Sequence, residues 1–149
     1  MNEHGSTRGG GCACGAIRYR FTGGPVLEYK CHCLDCQLAS GGGGVAAIWV
    51  LADGFTLVRG EPRYREMVAD SGRKIARGFC ADCGTPVLLR ISVPGIMGIF
   101  ATSLDQPERF RPEYEIWTSR ARSWDDLSED IPHFEENFSV EVVRRRLKR

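Results

Sequence analysis

Three thiols fall within six residues in Cys31-His32-Cys33-Leu34-Asp35-Cys36, and no other stretch restricts the possible folds so tightly. Cys12-Ala13-Cys14 and Cys80-Ala81-Asp82-Cys83 hold the remaining four of the seven cysteines. Thiolates this close repel one another unless a soft cation sits between them, and zinc is the commonest such cation. A closed tetrahedral zinc takes four protein ligands, so seven thiols divide as four and three. One site is then closed and structural, and the other keeps an open position for a ligand. That open position points to chemistry.

The compartment supports metal over disulfides. Met1 to Gly10 is polar and glycine-rich, without the apolar core of an export signal. A cytoplasmic location is expected, where thiols stay reduced and the odd cysteine count also disfavours a disulfide framework. No run reaches the ~18 apolar residues of a membrane span. The net charge of +1 gives no field to draw in nucleic acid or a lipid surface, so neither partner is expected.

A chain of 149 residues suits one domain. Residues 1–10 read as a disordered N-terminus, 11–138 as a zinc-binding domain and 139–149 as a basic, solvated tail. Ala16 to Phe21 alternates apolar and charged residues, as a strand with one wet face does. Val45 to Leu51 is an apolar strand. Phe55–Val58, Tyr64–Val68, Lys74–Phe79, Pro86–Ile91, Ile96–Thr102 and Glu115–Trp117 read as further short strands, with turns at Asp70-Ser71-Gly72 and Pro94-Gly95. Cys36 to Ser40 suits one helical turn, and Ser123-Trp124-Asp125-Asp126 has the form of a capping box. The fold class is mainly β.

Cys80-Ala81-Asp82-Cys83-Gly84 has the form of a zinc knuckle, in which two intervening residues let both sulfurs reach one ion. Cys12 and Cys14 share a face of an extended strand, and a turn at Gly15 brings them together. Spacing alone leaves two pairings open. Cys31, Cys33 and Cys36 can serve one metal, or Cys33 and Cys36 can join Cys80 and Cys83.

The ordered motifs Gly10-Gly11-Cys12-Ala13-Cys14-Gly15, Cys31-His32-Cys33-Leu34-Asp35-Cys36-Gln37 and Phe79-Cys80-Ala81-Asp82-Cys83-Gly84-Thr85 resemble the glutathione-dependent formaldehyde-activating enzyme family, which also includes the centromere protein V domain. The likeness continues through Ser103-Leu104-Asp105 and Ile116-Trp117-Thr118 to Asp130-Ile131-Pro132. It implies an Mss4-like, or β-tent, fold of several small coiled antiparallel sheets around zinc sites. It also implies two zinc ions: a structural one on Cys12, Cys14, Cys80 and Cys83, and one with an open position on Cys31, Cys33 and Cys36. The implied activity is that of a carbon–sulfur lyase joining glutathione and formaldehyde as S-hydroxymethylglutathione.

Among neighbouring residues, Gln37, Ser40 and Gly41 are candidate substrate contacts, because they directly follow the open site. His32 is expected to project away from the metal, and His4 and His133 to lie on the surface. Arg73, Lys74 and Arg77 fit a solvated strand edge, the alternative being that the arginines neutralise the zinc–thiolate charge or grip a substrate carboxylate. Trp117 and Trp124 fit the core, with lining a pocket as the alternative. The leading function is an enzyme acting on the adduct of a small thiol such as glutathione. The alternative is a non-catalytic zinc module that binds protein or nucleic acid through the basic tail.

Overall fold

Among residues 5–148, which the computed structural model describes, ten strands and two α-helices form a mainly β fold. The first half contains β1 (Thr7–Gly11), β2 (Arg18–Thr22), β3 (Leu27–Cys31), α1 (Leu34–Ser40), β4 (Val45–Leu51) and β5 (Phe55–Arg59). The second contains β6 (Arg63–Val68), β7 (Lys74–Phe79), β8 (Pro86–Arg90), β9 (Ile96–Phe100), β10 (Tyr114–Ile116) and α2 (Val140–Leu147). The strands form two sheets: a three-stranded sheet in the order β1-β2-β5 and a seven-stranded sheet in the order β10-β3-β4-β9-β8-β7-β6. Pairing is antiparallel except between β10 and β3.

The apolar run of β4 reflects burial on both faces. Val45, Ala47 and Trp49 join one core cluster, with Leu27, Tyr29, Cys31, Cys33 and Cys36. Ile48 and Val50 join the other, with Tyr19, Phe21, Cys12 and Cys80. The period of two in this strand therefore sends the two cysteine groups to opposite sides of one sheet.

Three expectations change. Residues 7–10, read as disordered, belong to β1, in register with β2 from Thr7 opposite Thr22 to Gly11 opposite Arg18. Glycine is needed there, since a Cβ on Gly10 would collide with the Tyr19 ring and the Ser103 carbonyl. Residues 1–4 of that stretch, with His4, lie outside the described residues. The basic tail is also ordered: α2 starts at Ser139, whose side chain accepts from the Val142 N–H, and Val142 is buried. Arg146 reaches Glu113, so part of the charge that suggested a solvated tail ties the helix down; Arg149 is outside the described residues. Ser123 to Asp126 forms a turn instead of a helix, with the Asp125 N–H on the Arg122 carbonyl at 3.0 Å. No helix among the described residues is long and apolar enough to cross a membrane.

Candidate metal centres

The four-thiol group forms where the turn after β1 meets the knuckle after β7. The Gly15 N–H closes the first turn on the Cys12 carbonyl at 3.2 Å, and the Gly84 N–H closes the second on the Cys80 carbonyl at 2.8 Å. Thr85 links the turns, its hydroxyl accepting from the Ala13 N–H at 3.1 Å and lying 3.1 Å from Cys83 Sγ. The Sγ atoms of Cys12, Cys14, Cys80 and Cys83 all lie within 4.8 Å of one another. Donors already stabilise thiolate at Cys12 and Cys83. The Ile17 N–H points at Cys12 Sγ over 3.2 Å, and the Thr85 hydroxyl and then its N–H hold the Cys83 thiol down to about 6.

The three-thiol group forms where β3 passes into α1. Cys31 ends the strand, Cys33 caps the helix by accepting from the Cys36 N–H at 3.3 Å, and Cys36 lies one turn on. These Sγ atoms too lie within 4.8 Å of one another. Hydrogen bonds from Cys31 and then Cys36 pull Cys33 down to about 3 against the opposing effect of burial. The bond to Cys33 first, then Cys36 and burial, push Cys31 well above its ordinary value. Three sulfurs at this spacing form a donor set that suits a thiophilic divalent ion. The fold brings the cysteines together as four and three, with Cys33 and Cys36 in a different core cluster from Cys80.

His32 turns away from the sulfurs and is buried. Its Nε2 lies 2.9 Å from Glu115 Oε2, and its Nδ1 lies 3.3 Å from the Gly43 carbonyl and 3.5 Å from Asp125. Glu115 is fully buried and also accepts from the Ser128 N–H at 3.0 Å and Lys30 Nζ at 3.3 Å. Burial pushes its carboxyl up, but these donors outweigh it and leave the group below the usual range. In the sequence Glu115 reads as a plain strand residue, and the lone acid within Tyr-Glu-Ile-Trp is the available signal.

The proposed substrate contacts lie elsewhere. Gln37 Nε2 donates to the His32 and Arg120 carbonyls, both at 2.8 Å, while its Oε1 accepts from Arg122 at 2.7 Å. Ser40 bonds the Gln37 carbonyl and the Gly42 N–H, and Gly41 ends α1 with its N–H on the Gln37 carbonyl at 2.9 Å. The Gln37 amide is held by the chain around it while Ser40 and Gly41 close α1, and none of the three lines the cavity described next. The neighbouring glycines serve chain packing: a Cβ on Gly44 would strike the Cys31 carbonyl.

A cavity of about 190 Å³ opens on Cys31, Cys33 and Cys36. Tyr29, Trp49, Leu89, Trp117, Phe138 and Val143 supply its apolar wall, and Asp70 and Arg73 line it from exposed positions. The Asp70 carboxylate comes within 4.8 Å of Cys33 Sγ. Arg77 is buried, with Nη2 3.5 Å from Cys36 Sγ, the other Nη on the Met67 sulfur and Nε unpartnered. It was expected at a solvated edge, but β6 covers that side of β7 and encloses it. Trp117 carries φ 56°, an uncommon left-handed backbone for a bulky residue, and its Nε1 donates to Asn137 at 3.1 Å. Trp124, expected in the core, is 70% exposed.

The family model for glutathione-dependent formaldehyde-activating enzyme matches residues 7–120. A crystal structure of a Rhodobacter sphaeroides protein is similar, with a TM-score of 0.52 and 20% identity over 84% of this chain and 98% of that one. At that identity the likeness speaks to the fold alone. No curated protein matches the chain.

Proposed function

Since the chain belongs to the glutathione-dependent formaldehyde-activating enzyme family, we propose that it is a zinc-dependent carbon–sulfur lyase acting on the adduct of a small thiol with an aldehyde. Its fold is accordingly mainly β and Mss4-like. The thiol in this reading is glutathione or a close relative. The observation that carries the reading is the cavity ending on three buried thiols, with four further thiols gathered elsewhere for a structural ion.

When bound at Cys31, Cys33 and Cys36, zinc supplies a soft Lewis acid that holds a substrate thiol as thiolate near neutral pH. The remaining work falls to the chain. Three thiolates carry more negative charge than one divalent ion cancels, and the Arg77 guanidinium beside Cys36 offsets the excess where the dielectric is low. Asp70, lining the cavity from an exposed position, is placed to take the proton of an entering thiol. Arg73, also exposed there, presents a guanidinium to a substrate carboxylate. Tyr29, Trp49 and Leu89 keep bulk water from the adduct carbon, which disfavours competing exchange with solvent.

The test is direct. Zinc-loaded protein should contain two metal ions per chain and accelerate formation or cleavage of the glutathione–formaldehyde adduct, followed by exchange NMR. Full metal occupancy without acceleration of this or any other thiol–aldehyde pair would remove the enzyme reading.

A further inference from the structure

The cavity wall beside the three thiols is more apolar than a hydroxymethyl group requires. Tyr29 and Trp49 meet edge to face at 6.0 Å, and Phe138 closes on them at 5.1 and 5.9 Å, also edge to face. The polar atoms of Tyr29 and Trp49 face each other, Trp49 Nε1 donating to the Tyr29 hydroxyl over 3.2 Å. Leu89 is buried, and Val93 and Val143 are half-buried, in the same lining. An adduct with formaldehyde places one carbon and one oxygen beyond sulfur, leaving no apolar ligand group against these rings. The cavity measures about 190 Å³, and an apolar cavity of about 150 Å³ is enough to hold benzene.

Phe138 and Val143 also lie beyond residue 120, where the family match ends. This part of the wall comes from a segment outside the shared region. It is held in place by the Ser139 cap, buried Val142 and the pairing of Arg146 with Glu113.

Building on the lyase reading, we infer that the aldehyde half of the preferred adduct carries an apolar group of about phenyl or isobutyl size. In the forming direction the substrate thiolate sulfur bonds to the carbonyl carbon. The carbonyl π pair moves to oxygen, which takes up one proton and becomes the hydroxyl. The thiol has released one proton on becoming thiolate, so protons balance and nothing is oxidised or reduced. Cleavage reverses each step. The apolar group lies against Tyr29, Trp49 and Phe138, and the oxygen is left to Arg77, the buried cation of the same cavity.

Two measurements on the zinc-loaded full chain test this. The first compares rate enhancement over the uncatalysed reaction for glutathione with formaldehyde, isovaleraldehyde and benzaldehyde. The larger aldehydes should be favoured by about tenfold or more, the scale set by removing a small apolar group from water. The second compares binding of S-benzylglutathione with S-methylglutathione by calorimetry, where a similar ratio is expected and Phe138→Ala should narrow it. Val143→Ala, a smaller change in the same wall, should narrow it less. Formaldehyde turnover with equal or reversed ratios overturns the inference and leaves the lyase reading standing. No acceleration with any aldehyde overturns the lyase reading and the inferred aldehyde with it, whatever the binding ratio.

Discussion

Glu115→Ala would remove a fully buried carboxylate from the strand that lies against the Cys31 end of β3. Three donors converge on that carboxylate, and they would not suffer equally. Lys30 is 35% exposed in its side chain and would recover water, so its loss is small. His32 is 1% exposed, and its Nε2 would face a cavity. The Ser128 N–H, bonded at 3.0 Å, is partly buried and loses its acceptor as well. Each orphaned buried group costs about 1–3 kcal/mol. Two such groups, His32 Nε2 and the Ser128 N–H, together put the cost at about 2–6 kcal/mol. Against a usual domain stability of about 5–15 kcal/mol this is a large fraction. For a chain of this size it corresponds to a fall on the order of 10 °C in Tm.

Glu115→Gln keeps an acceptor for one donor and should cost about half as much by the same rule. Thermal and urea unfolding of zinc-loaded protein measures both. Zinc content along the unfolding curve should show the Cys31–Cys36 site emptying first, because His32 sits between two of its sulfurs. A Glu115→Ala protein within about 1 kcal/mol of the parent would refute the claim that this buried node holds the three-thiol loop. The pH dependence has a definite sign. Glu115 has its folded pKa depressed below 4.5, so its contribution is present above 4.5 and is lost as pH falls through the folded value. The stability gap between parent and Glu115→Gln should therefore close in acid.

The two metal sites should differ in what their loss does to the fold. The four-thiol group joins segments 66 residues apart, Cys14 to Cys80, and structural zinc contributes on the order of 10 kcal/mol in small domains. Cys80→Ser should therefore unfold or aggregate the chain, whereas Cys33→Ser should stay folded by circular dichroism, losing one zinc and all thiol-transfer activity; the opposite pattern would reverse the structural and reactive assignments. Gly44→Ala should displace the Cys31 carbonyl and lower zinc affinity at the three-thiol site while leaving the other ion in place. Unchanged metal titration in that variant would show that the β3–β4 approach relaxes without moving the sulfurs.

Much of the fold was legible because local pattern and burial agree. Val45–Leu51 reads as a strand from composition alone, and Lys74–Phe79 follows from the Asp70-Ser71-Gly72 turn. What failed had long-range causes. Thr7–Gly11 has a poor strand sequence, yet Tyr19 and Ser103 demand glycine at Gly10 and the register with β2 does the rest. Gln37 and Ser40 looked available because they follow the open site, but α1 termination and residues 120–122 engage their polar atoms. Arg77 looked like an edge residue because no local signal says that β6 will cover it. Phe138 reaches the cavity from the segment just before α2, more than a hundred residues after Cys31. The cysteine motifs carry their own geometry; the pocket around them is a property of the whole topology.

The same topology explains how two dense thiol groups coexist in one small domain. Packed on one side of a sheet, they would add their negative charges across a short, poorly screened distance. β4 prevents this by sending Trp49 to one face and Ile48 and Val50 to the other, with a layer of backbone and apolar side chains between the groups. Each group can then keep its own compensation: turn N–H groups and Thr85 for the four, Arg77 for the three. That asymmetry matches the chemistry assigned to them. A closed ion needs donors that fix the thiolates in place. An open one needs a positive neighbour that also borders the space where a ligand enters, and Arg77 lines the cavity that ends on Cys31, Cys33 and Cys36.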